Sequence, residues 1–401
     1  MVKIYSKALD SSILVGRLIG KIQGHQKGPT IVFFGGIHGN EMAGVFALKQ
    51  VFEKINPTHV TGTIYGISGN LKALKNNQRY IDQDLNRVWI KENLNQLYNK
   101  TSLNNEEVEQ QELYKILDDI LKQHDGPFYF IDLHTTSSKT LPFITINDAL
   151  INRKFSRLFP VPIVLGIEEY LDGPLLSYIN QLGYVSLGFE SGQHDDLNSI
   201  TNNVSFIFLS LVYSKVLEKK NVENYDAHYN TLMRESKQNQ EIFEVVYLHR
   251  LLNGGNFKMK PNFKSFQNVK KGEQLATANN QSINSPYTAK IFMPLYQTKG
   301  YEGFFIIKKI HPFFLRLSEI IRKMKMDTLI TLLPGITWMD KQKGILQVNL
   351  KVAKYLAKQI FHLFGYRNKQ KNTTHMLLFN RERTSKKEMY KNLTWYKKRT
   401  L

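Results

Sequence analysis

Hydrophobic and polar positions along the first 200 residues alternate between two periods. The β-branched and aromatic runs TIVFFGG (30–36), TGTIYGISG (61–69) and PFYFIDLH (127–134) read as buried strands. Between them MAGVFALKQVFEKI (42–55) and VEQQELYKILDDILKQH (108–124) carry apolar residues at helical spacing. The pattern continues through PFITI, VPIVLGI, the helix-like LLSYINQLG and YVSLGFE (184–190). Strand, helix, strand, helix, strand predicts an α/β domain over residues 1–225, with helices covering a largely parallel sheet. In open sheets of this kind, functional sites gather at the carboxyl ends of strands. Several of these runs end in residues capable of chemistry.

From Lys215 to Gln240 the chain turns polar and charged, which suits a helix running into a linker. Short strand-like runs punctuated by Asn-Gly-Gly and Lys-Gly then predict a small β domain over 241–312. In the last segment, 313–401, FLRLSEIIRKMK and LQVNLKVAKYLAKQIFHLFG have helical spacing, so a helical extension with a basic tail is expected.

Composition narrows the chemistry. The 401 residues include no cysteine, which excludes disulfides, thiolate nucleophiles and Cys-ligated zinc. Any metal must therefore sit on His and carboxylates. No apolar run approaches the ~18 to 20 residues that span a bilayer. The N-terminal stretch MVKIYSKALDSSILVGRLIG is charged and lacks a continuous apolar core, so export is not expected and the cytoplasm is the expected compartment. Lys and Arg number 54 against 34 Asp and Glu, a net charge of +20. Much of that excess lies after Gly365, with eleven basic residues against two acidic ones, and a solvated end is the expected reading over a nucleic-acid site.

In TIVFFGGIHGNEMAG a strand runs into two glycines, and His38 and Glu41 follow three apart where a helix is expected to begin. Residues i and i+3 share a helix face, so an imidazole and a carboxylate would converge on one point. Catalytic zinc favours three ligands of the His₂Glu type, leaving a fourth position for water. His134 closes the strand FYFIDLH and is followed by polar TTSS, which puts it where the third ligand is needed. Alone, the first pair is a common helical spacing and His134 an ordinary strand-end histidine.

Four pieces in order carry a resemblance: GGIHGNE (35–41), NNQRYIDQDLNR (76–87), DLHTTSS (132–138) and GFESGQ (188–193). Together they resemble the succinylglutamate desuccinylase and aspartoacylase family, relatives of the zinc carboxypeptidases. MPLYQTKGYEGFF looks like the longer bacterial members, which append a β domain. The resemblance implies a mixed sheet flanked by helices and one Zn²⁺ per chain held by His38, Glu41 and His134. It implies Glu190 as general base and acid, and Arg79 as the group that helps polarise the scissile carbonyl. Asn86 and Arg87 would grip a substrate carboxylate, and Asp84 would orient the arginines. Asp132 could buttress His134 from behind. The implied reaction is hydrolysis of an N-acyl amino acid or similar small anionic amide.

One departure concerns specificity. Aspartoacylases carry an acid-binding arginine about ten residues before the catalytic glutamate, and LLSYINQLGYVSLGFE has neither arginine nor lysine. Tyr178 and Asn180 are nearby polar candidates. His194, Asp195 and Asp196 allow a second metal, although a solvated or capping role is the expected one. Tyr287 or Tyr296 could reach the site from the β domain. Two other functions fit parts of the sequence: a zinc carboxypeptidase acting on peptide C-termini, and a non-catalytic anion- or nucleic-acid-binding protein using the basic tail. The sequence leaves homo-oligomerisation open.

Overall fold

A computed structural model of the chain describes residues 1–97, 99–251, 256–352, 358–370 and 374–397. It opens with a hairpin of β1 (Val2–Ser6) and β2 (Ser11–Val15). The strands β3 (Leu18–Gln23), β4 (Gln26–Gly35), β5 (Thr61–Ser68), β6 (Phe128–Thr136), β7 (Phe143–Ile146), β8 (Ile163–Leu165) and β9 (Val185–Gln193) follow. Further along come β10 (Ile242–Arg250), β11 (Phe257–Met259), β12 (Asn268–Val269), β13 (Gln274–Ala278), β14 (Gln281–Asn284), β15 (Ala289–Phe292) and β16 (Glu302–Lys309). Among the described residues, eleven strands make one mixed sheet in the order β12-β15-β16-β10-β8-β7-β9-β6-β4-β5-β3. Four adjacent strands, β9, β6, β4 and β5, run parallel.

Period two decides which side each residue covers. Along β4, Ile31 and Phe33 join one core cluster, whereas Val32 and Phe34 join the other. The helices Ala43–Lys54 and Leu197–Tyr213 cover the first face, and Asn105–Gln123 and Leu175–Gln181 cover the second. Burial on both faces explains why these strands read as continuous hydrophobic runs rather than alternating ones. The register then fixes the site: in the parallel β6/β9 pair, His134 stands opposite Glu190.

Residues 241–312 are not set apart from this sheet. β10 pairs in parallel with β8, with Ile242 opposite Ile163, and β16, β15 and β12 continue outward, while β11, β13 and β14 form a separate three-stranded sheet. The last segment has helices at Pro312–Lys323 and Lys358–Leu363, but also a four-stranded antiparallel sheet of β17 (Ile336–Asp340), β18 (Ile345–Asn349), β19 (Tyr366–Gln370) and β20 (His375–Asn380), ordered β17-β18-β20-β19. The run LQVNLKVAKYLAKQIFHLFG, read as one helix, begins as strand β18. Leu346 and Val348 are its buried alternate residues.

The basic stretch after Gly365 is tied down at several points. Arg367 pairs with Asp148, Arg383 with Asp327 at 2.7 Å, and Lys386 donates to the Tyr184 hydroxyl at 2.6 Å. Lys371, Lys398 and Arg399 lie outside the described residues. Tyr390 and Trp395 are buried against Tyr129. Among the described residues, no helix is long and apolar enough to cross a membrane.

Candidate active site

His38 and Glu41 occupy a turn between β4 and the helix Ala43–Lys54, not the first turn of that helix as their spacing suggested. The turn is closed by the Glu41 amide donating to the His38 carbonyl at 3.1 Å. Two glycines make the tight path feasible. Gly36 has φ +72°, and a Cβ on Gly39 would sit 2.1 Å from the Ala73 carbonyl carbon.

The turn brings three side chains together. His38 Nδ1 lies 2.8 Å from Glu41 Oε1, and His134 Nδ1 lies 2.9 Å from Glu41 Oε2. The far nitrogens face two more carboxylates: His38 Nε2 is 3.0 Å from Asp84 Oδ1, and His134 Nε2 is 2.7 Å from Asp132 Oδ2. All five side chains are buried. A carboxylate behind each imidazole fixes ring orientation and raises ligand basicity, the arrangement found around protein-bound metals. His38, Glu41 and His134 form a group whose ligand atoms lie within 4.8 Å of one another. Two imidazoles and one carboxylate, with no thiolate, fit zinc chemistry. Burial opposes charge on His134, but Asp132 and Glu41 outweigh it and hold the imidazole well above its usual range. Burial likewise opposes ionisation of Glu41, and the two histidines overcome it.

Glu190 borders the same cavity of about 130 Å³, with His38, Glu41 and His134 in its wall. Burial, reinforced by Glu41 and Asp132 against the opposing pull of His134, pushes its carboxyl up to about 8. Its Oε2 has no hydrogen-bond partner. A buried carboxyl with a pKa near neutrality can both accept and release a proton at working pH.

Arg79 and Asp84 come from the loop 76–87. Arg79 donates to Asp84 Oδ2 from Nε and Nη2 at 3.1 and 3.0 Å, and its Nη1 is 3.3 Å from Glu41 Oε1. Asp84 thus serves both the arginine and His38. A residue without any sequence signal shapes the loop. Glu106, at the start of the helix Asn105–Gln123, accepts from the amides of Ile81, Asp82 and Gln83 at 2.7, 2.9 and 3.2 Å and from the Asn70 amide group at 2.9 Å. Asn86 and Arg87 also line the cavity, but Arg87 is already engaged: Nε and Nη2 reach Glu302 Oε1 of β16 at 3.3 and 3.2 Å.

Other candidates fall elsewhere. Tyr178 packs on Trp89, and neither it nor Asn180 borders the cavity; Ser177 and Asn147 do, joined by a 3.0 Å hydrogen bond. Asp196 caps the helix Leu197–Tyr213 through the Asn198 amide, and Asp195 pairs with exposed Lys7. His194 sits 2.7 Å from the Thr135 hydroxyl and 3.2 Å from Gln297, knitting the site's edge to the loop before β16. Tyr296 turns its hydroxyl to the Lys260 carbonyl at 2.6 Å and Tyr287 lies against Lys308, so neither tyrosine lines the cavity. From that region Met293, Leu295, Gln297 and Glu302 line it instead.

A His–Glu–His cluster at the carboxyl ends of adjacent parallel strands, backed by buried carboxylates, defines an α/β protein with a candidate metal centre. Residues 27–202 match the succinylglutamate desuccinylase/aspartoacylase catalytic domain, so this stretch of the chain is similar to that family. A probable aspartoacylase from Acaryochloris marina is 29% identical over 164 residues, covering 38% of this chain and 52% of the relative. The aspartoacylase of Mus musculus is 42% identical over 65 residues, covering 16% of this chain and 21% of that protein. The chain thus spans about half the length of the first relative and a fifth of the second. Two solved structures share the fold. One is a succinylglutamate desuccinylase/aspartoacylase from Rhodobacter sphaeroides, with TM-score 0.55 and 15% identity over 73% of this chain and 88% of that one. The other is the product-bound ectoine utilization protein of Ruegeria pomeroyi, with TM-score 0.53 and 16% identity over 75% and 90%.

Proposed function

We propose that this chain is a zinc-dependent amide hydrolase acting on an N-acyl amino acid or a similar small carboxylated amide. The observation that carries the reading is the buried His38–Glu41–His134 group with Glu190 opposite His134 in the β6/β9 register. Zinc on those three side chains would supply the Lewis acid that acidifies water and polarises an amide carbonyl. Glu190 takes the proton of the attacking water and returns it to the departing amine, a double role suited to a carboxyl lifted to about 8. Arg79, held rigid by Asp84, presents its guanidinium where negative charge grows on the carbonyl oxygen. Asn86 and Arg87 hold the substrate carboxylate, with Arg87 sharing its donors between that group and Glu302.

Substituting Glu190→Gln keeps the shape and removes the proton carrier. Amide hydrolysis should fall by at least about a hundredfold while one zinc per chain stays bound, measured by metal analysis beside a screen of N-acyl amino acids and short peptides. Retained hydrolysis would overturn the mechanism, and turnover of peptides alone would move the reading to a carboxypeptidase.

A further inference from the structure

The charges around the cavity balance in a way that bears on the substrate. Among the described residues that border it, the only guanidiniums are Arg79 and Arg87, and there is no lysine. Arg79 is bound to Asp84 and Glu41, and Arg87 to Glu302 and to the Asn86 carbonyl at 2.8 Å. Beyond an α-carboxylate shared with Glu302 at Arg87, no spare cation awaits a second acidic group. The wall away from the histidines is instead aliphatic, built by Ile146, Ile167, Leu171 and Leu176.

Within that wall stands one carboxylate. Glu168 lies in the short turn Ile167–Glu169 after β8, and its side chain is only 1% exposed. Its Oε1 accepts from the Asp148 amide at 3.1 Å, while its Oε2 is buried and has no hydrogen-bond donor. The guanidinium of Arg367 comes no nearer than 3.8 Å to Oε1 and is hydrogen-bonded to Asp148 at 2.6 Å, and Arg381 interacts with Glu168 through its charge. A buried carboxylate oxygen without a donor is destabilising, and such atoms in native proteins call for a ligand or an ordered water as their partner.

We propose that Glu168 is a specificity-determining residue that receives the cationic end of the substrate, so that the preferred amide is the N-acyl derivative of a basic amino acid. The aliphatic wall clothes the methylene stem of such a side chain, as apolar surface does for lysine and arginine generally. The ammonium or guanidinium then donates to Glu168 Oε2. A second carboxylate in the same place finds an acceptor oxygen and no donor at Glu168 Oε2, which selects against dicarboxylic substrates. The proposal rests on the amide-hydrolase reading for its substrate, but not for its binding chemistry.

The test separates the two. Nα-acetyl-lysine, its uncharged analogue Nα-acetyl-norleucine, which lacks only the ammonium, and Nα-acetyl-aspartate are compared on the zinc-loaded full chain, by titration calorimetry for binding and by amine release for turnover. Binding should favour the cationic probe over the neutral one by at least tenfold, with the anionic probe weakest. In Glu168→Gln the ratio of cationic to neutral probe should collapse at least tenfold, and Glu168→Asp should restore part of it. A merely structural role for Glu168 lowers both probes together and leaves the ratio unchanged, which overturns the proposal, as does a preference for the anionic probe or no binding of any. Charge-selective binding without amine release upholds the proposal and removes the hydrolase reading; amine release without charge preference does the reverse.

Discussion

At the residue scale the candidate site is a set of paired charges in which Asp84 is the hinge. It faces His38 Nε2, holds two donors of Arg79 and accepts from the Asn86 amide at 2.9 Å. Burial opposes its charge, but the guanidinium of Arg79, with His38 and Arg87 beside it, keeps its carboxyl well below the usual range. Substituting Asp84→Asn should weaken zinc affinity about 10- to 100-fold, as loss of an outer carboxylate does, in competition with a chromophoric chelator; unchanged affinity would count against a metal role for His38. The cluster itself was legible because its members sit in short local patterns, HGNE and a strand-end DLH. Glu302, Glu168 and Glu106 were not, because each acts on partners that only the fold brings near: Arg87 and Glu302 are 215 positions apart.

At the element scale, the strand and helix periods of the first 200 residues place β4, β5, β6 and β9 within a few residues of their observed ends, because strands buried on both faces write themselves as unbroken apolar runs. The loop 76–87 follows no period, and its shape comes from the helix start beside it. Asn104 and Glu107 form a reciprocal cap, which leaves Glu106 free to gather three loop amides. Removing that carboxylate in Glu106→Ala strands those donors at about 1 to 3 kcal/mol each where they cannot reach water. The expected result is faster amide hydrogen exchange at Ile81–Gln83 and a large loss of activity in a chain that still folds; unchanged exchange there would refute the role. In the last segment, strand and helix periods coincide over windows as short as LQVN, which is why β18 was taken into a helix.

At the scale of the whole molecule, the last segment is joined to the body by a buried ion cluster. Asp148 accepts from Arg153 at 2.8 Å, Arg322 at 2.9 Å and Arg367 at 2.6 Å, so one carboxylate links residues far apart in the chain. Burial opposes its charge, and the three guanidiniums outweigh it and hold its carboxyl well below the ordinary value. A carboxyl depressed on folding adds stability in full above its unfolded pKa of about 3.9 and loses it as pH falls toward the folded value. Asp148→Asn should therefore cost about 3 to 5 kcal/mol near pH 7, and the gap to the parent chain should narrow below about pH 4 in thermal melts. A gap independent of pH would show that packing, not charge, is what Asp148 contributes.

The Tyr390 hydroxyl donates to the Phe128 carbonyl at 2.6 Å and accepts from the Val185 amide at 3.1 Å, at the entry ends of the two strands that carry His134 and Glu190. On the ribosome, where chains emerge amino end first, those two strands leave the exit tunnel some two hundred residues before the tyrosine that fastens them. The sheet around the candidate site therefore first assembles with that seam open, and the fastening waits until Tyr390 has been made.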